Sequence, residues 1–204
     1  LRIEGLMNGT GGSFLGVAVP RFAGWLSYDG TSGLVMRDLD VEALGGSGRL
    51  AIDVPPAVTR RPLHVRGPVS DVDGEGILRM IFGWGEMGLG TAATGEVDVS
   101  WPRGATRRVS GRIAVDLAAR ADGRLPLTGR LDWSAEDGRQ VYERAVLAGP
   151  GMRGSVSGEV DVEDRARLEV EAQTGDLGET ETVLTRVRRA LGNPEAQPAG
   201  FTGR

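Results

Sequence analysis

The sequence predicts an all-β chain with two short helices, built as an antiparallel sheet that has one apolar and one polar face. Three observations predict it. Between Gly95 and Ala135 the residues alternate with a period of two; glycine is abundant, at 33 of 204 residues, while aromatic residues make up only 5%; and the period lengthens to nearly four in two short stretches. Val97, Val99 and Trp101 share one phase, as do Ile113, Val115 and Leu117, and then Leu125, Leu127, Leu131 and Trp133. The other phase carries Glu96, Asp98, Ser100, Arg112, Asp116, Arg124, Thr128, Arg130, Asp132 and Ser134. Strand side chains alternate between faces, so one face is apolar and the other meets water. One-sided alternation is antiparallel in character, because parallel strands are covered on both faces and read as unbroken apolar runs.

Residues 1–47 read as Gly-rich strands of a preceding repeat. Phe14 to Val19 and Trp25 to Tyr28 have the composition of short strands, and Leu39, Val41 and Ala43 alternate with Asp40 and Glu42. From residue 48 the pattern is clearer: Leu50, Ile52 and Val54 share a phase, and Pro55-Pro56 ends the run because proline donates nothing to a ladder. Leu63, Val65 and Val69 form the next strand, with the single histidine, His64, in the polar phase. Ile77, Leu78, Ile81 and Phe82 then take helical spacing, which predicts an amphipathic helix near 74–83 with Asp73 as its N-cap. After the central strands come Val141 to Leu147, Ser155 to Val162 and Ala166 to Thr174. Asp176, with Glu179 three residues on, resembles a capping box, and Val183, Leu184, Val187 and Leu191 make one face of a second helix near 178–191, closed by Gly192 and Pro194. Val69-Ser70-Asp71-Val72 leads into the first helix as Thr174-Gly175-Asp176-Leu177 leads into the second, and Gly200 to Arg204 reads as a further strand. The expectation is a long repeat in which residues 48–204 are one section and 1–47 belong to the section before; the chain starts with Leu1, and the reading treats it as an internal piece.

Composition removes several classes of function. The net charge is −4, all 24 basic residues are arginine, and they are interspersed with acids, so there is no electrostatic footprint for nucleic acid. Cysteine is absent, which excludes disulfides, thiol nucleophiles and thiolate metal sites. No apolar run approaches the ~18 residues of a membrane span.

The motifs that resemble chemistry have better structural explanations. Gly83-Trp84-Gly85-Glu86-Met87-Gly88 matches the dinucleotide fingerprint in letters but follows a helix and precedes a strand, the reverse of the required context. Asp71-Val72-Asp73-Gly74-Glu75-Gly76 opens like a calcium loop, yet its twelfth position is Phe82, and acids at a helix start explain it. His64 has no catalytic partner in sequence and is expected at the surface. Asp98, Asp116, Asp132, Asp161 and Glu169 fall on the polar phase beside arginines and are expected in cross-strand ion pairs. Arg60-Arg61, Arg107-Arg108 and Arg188-Arg189 read as solvated turns and helix surface. No catalytic residue, metal site or cofactor emerges, so the expectation is a non-enzyme.

The informative question is what covers the apolar face, since each apolar side chain left in water forfeits about 1.5–3 kcal/mol. One solution folds the sheet on itself as a β-sandwich, the other curves it into a trough occupied by an apolar ligand. The inward phase holds mainly Val, Leu, Ile and Ala, with glycines such as Gly129 and Gly158, which leave room and permit bending.

The serial Gly-Arg-Leu-x-Leu and Gly-Glu-Val-Asp-Val strands, the Asp-Leu-plus-helix interruptions and the Trp101-Pro102-Arg103-Gly104 joint resemble the periplasmic repeat region of the TamB/AsmA-like family over about residues 48–204. The resemblance implies an elongated, taco-shaped antiparallel sheet whose apolar groove carries phospholipid acyl chains between the inner and outer membranes. It implies a periplasmic segment of a protein anchored in the inner membrane, with an outer-membrane β-barrel partner for some members and a role in outer-membrane protein assembly. It brings no catalytic residue. Its groove positions correspond here to Leu50, Ile52, Val97, Val99, Ile113, Val115, Leu117, Leu125, Leu127, Leu131, Trp133, Val160, Val162, Leu168 and Val170. On this reading Val99→Asp or Val115→Asp blocks lipid passage while the sheet still forms. The alternatives are a structural or adhesive β-sandwich module of a surface protein and a parallel β-helix enzyme acting on polysaccharide; the short repeats of roughly twenty residues that the last would show are missing.

Overall fold

A computed structural model of the chain describes residues 1–14, 16–82, 86–105, 107–121, 124–163 and 165–190. In order these form β1 (Arg2–Phe14), β2 (Val17–Asp29), β3 (Gly33–Ala43), β4 (Gly46–Val54), β5 (Leu63–Asp73), α1 (Gly74–Phe82), β6 (Leu89–Trp101), β7 (Ser110–Ala119), β8 (Leu125–Pro126), β9 (Thr128–Glu136), β10 (Arg139–Gly149), β11 (Met152–Val160), β12 (Ala166–Thr174) and α2 (Leu177–Ala190). The twelve described strands belong to one sheet; eleven form a meander in which each pairs antiparallel with the next, β7 with β9, while β8 stands off this path against β6, and the edges β1 and β12 do not pair with each other. The all-β antiparallel sheet expected from the periodicity is observed, and it is open and curved, the second of the two arrangements the periodicity allowed. It is a single ladder rather than the two stacked sheets of a sandwich.

Several local expectations change. Phe14 to Val19 is not a strand: Phe14 pairs with Val17 across the β1–β2 turn. Residues 1–43 form two strands of 13 residues and one of 11, and β3 pairs directly with β4. The run from Leu125 to Trp133 is broken. Thr91 of β6 pairs with Ala119, near the end of β7, so Leu89 and Gly90 overhang, and β8 fills that free edge in parallel pairing, Leu89 opposite Leu125. Pro126 has no N–H for an antiparallel ladder, and the chain re-enters the main sheet only at Thr128.

Among the described residues three strands carry a bulge. Between Met36 and Leu39 β3 spends three residues where β4 spends two, β5 does the same between Val69 and Val72 against β6, and β10 between Tyr142 and Ala145 against β11. Asp38 and Asp71, inside the first two bulges, have φ of 47° and 56°. One extra residue flips the facing of everything after it, so the inward set passes from even to odd numbers in β3 and β10 and from odd to even in β5. Bulges also bend and twist the strands that hold them, which supplies part of the curvature.

Two apolar clusters lie on the inner face. Leu39, Ile52 and Val65 centre one, with Met7, Phe14, Phe22 and Trp101 packed around them. Val72, Ala93, Ile113, Val115 and Trp133 centre the other, and Val99 touches both. The outer face is an ion-pair lattice. Arg130 meets Asp116 at 3.0 Å across β7–β9 and Asp132 at 2.9 Å along β9, and His64 meets Asp98 at 2.6 Å. The Arg130 guanidinium, by hydrogen bonding, holds the Asp132 carboxyl below the usual carboxylate range. Asp161 differs from expectation: it pairs with Arg165 at 2.7 Å inside the β11–β12 turn, not across the sheet.

Candidate functional site

The inner face encloses an apolar cavity of about 360 Å³. Its walls come from almost every strand between β1 and β9: Met7 and Phe14, Phe22, Met36 and Leu39, Leu50 and Ile52, Val65 and Val69, Val97, Val99 and Trp101, Ile113 and Trp133. In a flat sheet β1 and β9 would stand seven strand spacings apart, roughly 34 Å at about 4.8 Å each. That both line one cavity means the sheet is curled around it. Among the described residues Ser13 and Ser47 are the only hydroxyl side chains in the lining.

Of the residues expected in a groove, Leu50, Ile52, Val97, Val99, Ile113 and Trp133 line this cavity. Val115 is in the second cluster, with Leu117 and Leu131 packed against it. Val115 is 2% exposed, so it is a packing residue, and Val115→Asp is expected to break the sheet rather than to block a passage through an intact one. Leu127 reaches over Gly149 of β10. Val160, Leu168 and Val170 continue the inner face by register, through Gln140↔Val160, Gly158↔Leu168 and Val156↔Val170. Leu168 is 43% and Val170 64% exposed, so the inner face opens to solvent toward β12. Two residues lie outside the main ladder. Leu125 belongs to β8 at the free edge of β6, and Val162 lies in the β11–β12 turn beyond the end of β11, beside Gly138. Sequence reasoning missed Met7, Phe14, Phe22, Met36 and Leu39: in β1 the half-buried positions beside Met7 and Phe14 are glycines (Gly5, Gly9 and Gly12) that show no apolar period, and in β3 the extra residue at Asp38 puts Met36 and Leu39 in opposite parity.

Both helices stand at one end of the strands, since β5 and β12 run in the same direction, an odd number of main-ladder strands (β6, β7, β9, β10 and β11) lying between them. Their starts differ. α2 has the N-cap expected: Asp176 Oδ1 accepts from the N–H groups of Gly178 at 2.8 Å and Glu179 at 3.0 Å. The reciprocal arm of a capping box is supplied by Thr174, whose hydroxyl accepts from Asp176 N–H at 3.1 Å. Of the predicted apolar face Val183 is buried; Leu191, Gly192, Pro194 and the final strand-like stretch lie outside the described residues.

At α1 the expected cap, Asp73, turns its carboxylate to Arg124 Nη2 at 3.0 Å. Asp71, aligned with Asp176 by sequence, is instead the bulge residue of β5 and donates its N–H to Thr94 Oγ1 at 3.0 Å. The organising acid is Glu75, 3% exposed. Its carboxylate accepts from the N–H groups of Met87, Gly88 (3.0 Å) and Leu89 (2.9 Å), and Arg124 stands at 3.4 Å. These bonds tie α1 to the start of β6. Ile77 then lies against the second cluster, and Gly76 sits close over Leu44, whose carbonyl accepts from Asp73 N–H at 2.8 Å. Helix α1 thus closes one end of the cavity. Glu75→Ala is expected to leave three backbone donors without an acceptor, at about 1–3 kcal/mol for the first lost bond and more for the set. Hydrogen exchange checks it: amides of residues 87–89 and of α1 should lose protection while those of β9 and β10 keep theirs.

Among the described residues no group of His, Asp and Glu is placed to hold a metal ion, and no helix is long and apolar enough to cross a membrane. Gly83 to Gly85 of the nucleotide-like motif lie outside the described residues. Comparison with protein-family models, curated proteins and solved structures finds no match.

Proposed function

We propose that this chain is a segment of a cell-envelope protein that holds and conducts phospholipid acyl chains along the inner face of its curved sheet. The observation that carries the reading is the apolar cavity shared by β1 through β9, whose inner face continues into exposed Leu168 and Val170 at the open edge. A trough of this kind suits an acyl chain: each methylene removed from water contributes about 0.8 kcal/mol without directional bonds, so the chain is retained and still slides. In the same reading the chain is periplasmic, its parent protein is anchored in the inner membrane, and the work it supports is phospholipid movement and outer-membrane protein assembly with a β-barrel partner.

Site-directed photocrosslinking tests the groove, with strand alternation as the internal control. A photoreactive residue at Leu50 or Val97 is expected to label phospholipid in bacterial membranes, whereas one at Arg49 or Asp98, one residue away on the outer face, is expected not to. Equal labelling from both faces, or none from either, would overturn the reading.

A further inference from the structure

One polar group on the inner face is left without a task by the groove reading. At the end of the sheet opposite the helices, Gln140 of β10 lies on the same face as Trp133 and Tyr142, because Tyr142 pairs with Trp133 and Gln140 with Ala135. Gln140 Oε1 accepts from the Trp133 indole N–H at 3.3 Å and from the Tyr142 hydroxyl at 3.2 Å. An indole nitrogen only donates, so the amide atom facing it must be the oxygen, and the orientation of the carboxamide is decided by chemistry. Trp133 is 1% exposed and holds one donor in place; burial pushes the Tyr142 hydroxyl up, so that it stays protonated and keeps the other. The two N–H donors of the Gln140 amide therefore point away from Trp133 and Tyr142, and among the described residues no acceptor meets them. Trp133 is at the same time a wall of the cavity.

We infer that Gln140 is a donor site for an ester carbonyl oxygen of an acyl lipid whose chain lies in the apolar cavity beyond Trp133, a proposal that rests on the groove reading above. A fixed amide next to an apolar trough matches the chemistry of a lipid at its one transition, where the hydrocarbon chain meets its ester linkage. Trp133 and Tyr142 are positioning residues, since they fix the amide and leave its donors to the ligand.

The test compares ester-linked with ether-linked phosphatidylcholine of equal chain length, each titrated into the intact chain in mild detergent and followed by native mass spectrometry. The ether lacks the carbonyl and keeps the chain and headgroup. The expected result is a preference of roughly threefold to tenfold for the ester, the range of one neutral hydrogen bond. Gln140→Leu and Gln140→Glu should both abolish the preference while ether binding is kept; the glutamate retains the acceptor for Trp133 and Tyr142 and removes the N–H donors. Tyr142→Phe should weaken the preference in part. Thermal unfolding verifies that the variants fold. Equal binding of both lipids by the unmodified chain, or a preference that survives Gln140→Leu, overturns the donor site and leaves the groove standing, whereas binding of neither lipid overturns the groove reading itself.

Discussion

Val115→Asp is expected to unfold the sheet, while Val170→Asp, in the same cross-strand row, is expected to leave it folded. The row runs Val115, Leu131, Ala145, Val156, Val170 through four successive pairings, so all five side chains point to the same face. Position in the row decides the cost. Val115 is 2% exposed amid Ala93, Ile113 and Trp133. Replacing it removes about 1.5–3 kcal/mol of apolar burial and places a carboxyl where nothing solvates it, at several kcal/mol more. The sum is about 4 kcal/mol or more, comparable to the ~5–15 kcal/mol that hold a typical domain together. Val170, on the edge strand and 64% exposed, should change by about 1 kcal/mol or less. Urea denaturation followed by far-ultraviolet circular dichroism reads both. Equal midpoints for the two variants would mean that the second cluster does not hold the sheet.

Gly129→Ala is expected to be as damaging with the addition of a single methyl. Gly129 has φ of 151°, in the mirror-image extended region that only glycine enters cheaply, and a Cβ there would stand 1.8 Å from the carbonyl oxygen of Val146 on the neighbouring strand. Gly158 repeats the geometry, with φ of 130° and a carbonyl, that of Arg167, at 2.2 Å. Relief requires β9 and β10 to separate or the backbone to flip, and either breaks the ladder. A loss of about 3 kcal/mol or more follows from backbone strain plus the lost pairing. Gly5→Ala is the control: nothing lies within 4 Å of its Cβ position, and the change should stay within about 0.5 kcal/mol. Matching denaturation midpoints for the two variants would show that Gly129 carries no strain.

These two cases also mark what could be read from residue order. The phase of Val97, Val99, Ile113, Val115, Leu131 and Trp133 was legible because β6, β7 and β9 pair without a bulge in that stretch, so parity and face stay in step. The first 43 residues were only partly legible: glycines occupy much of the inner phase of β1, and the inserted Asp38 breaks parity in β3, so that only Leu39, Val41 and Ala43 beyond it showed a period. Leu125 and Val162 kept the right parity but left the main ladder, the first in β8 beside β6 and the second carried past the end of β11 by the turn. Parity assigns a side only while the residue stays in the ladder.

By itself the sequence determined that the chain forms one-sided antiparallel strands interrupted by two amphipathic helices, because strand alternation, helical spacing and the Asp176 cap are local properties of residue order. Only the tertiary structure decided how far the sheet curls, which of the inward residues are packed and which remain open, and that Glu75 rather than Asp73 secures α1. It also brought Gln140 beneath Trp133 and Tyr142. The physical reason is the same in each case: bulges, cross-strand contacts and the reach of a buried carboxylate join residues that are distant in the chain, and a local period carries no record of such meetings.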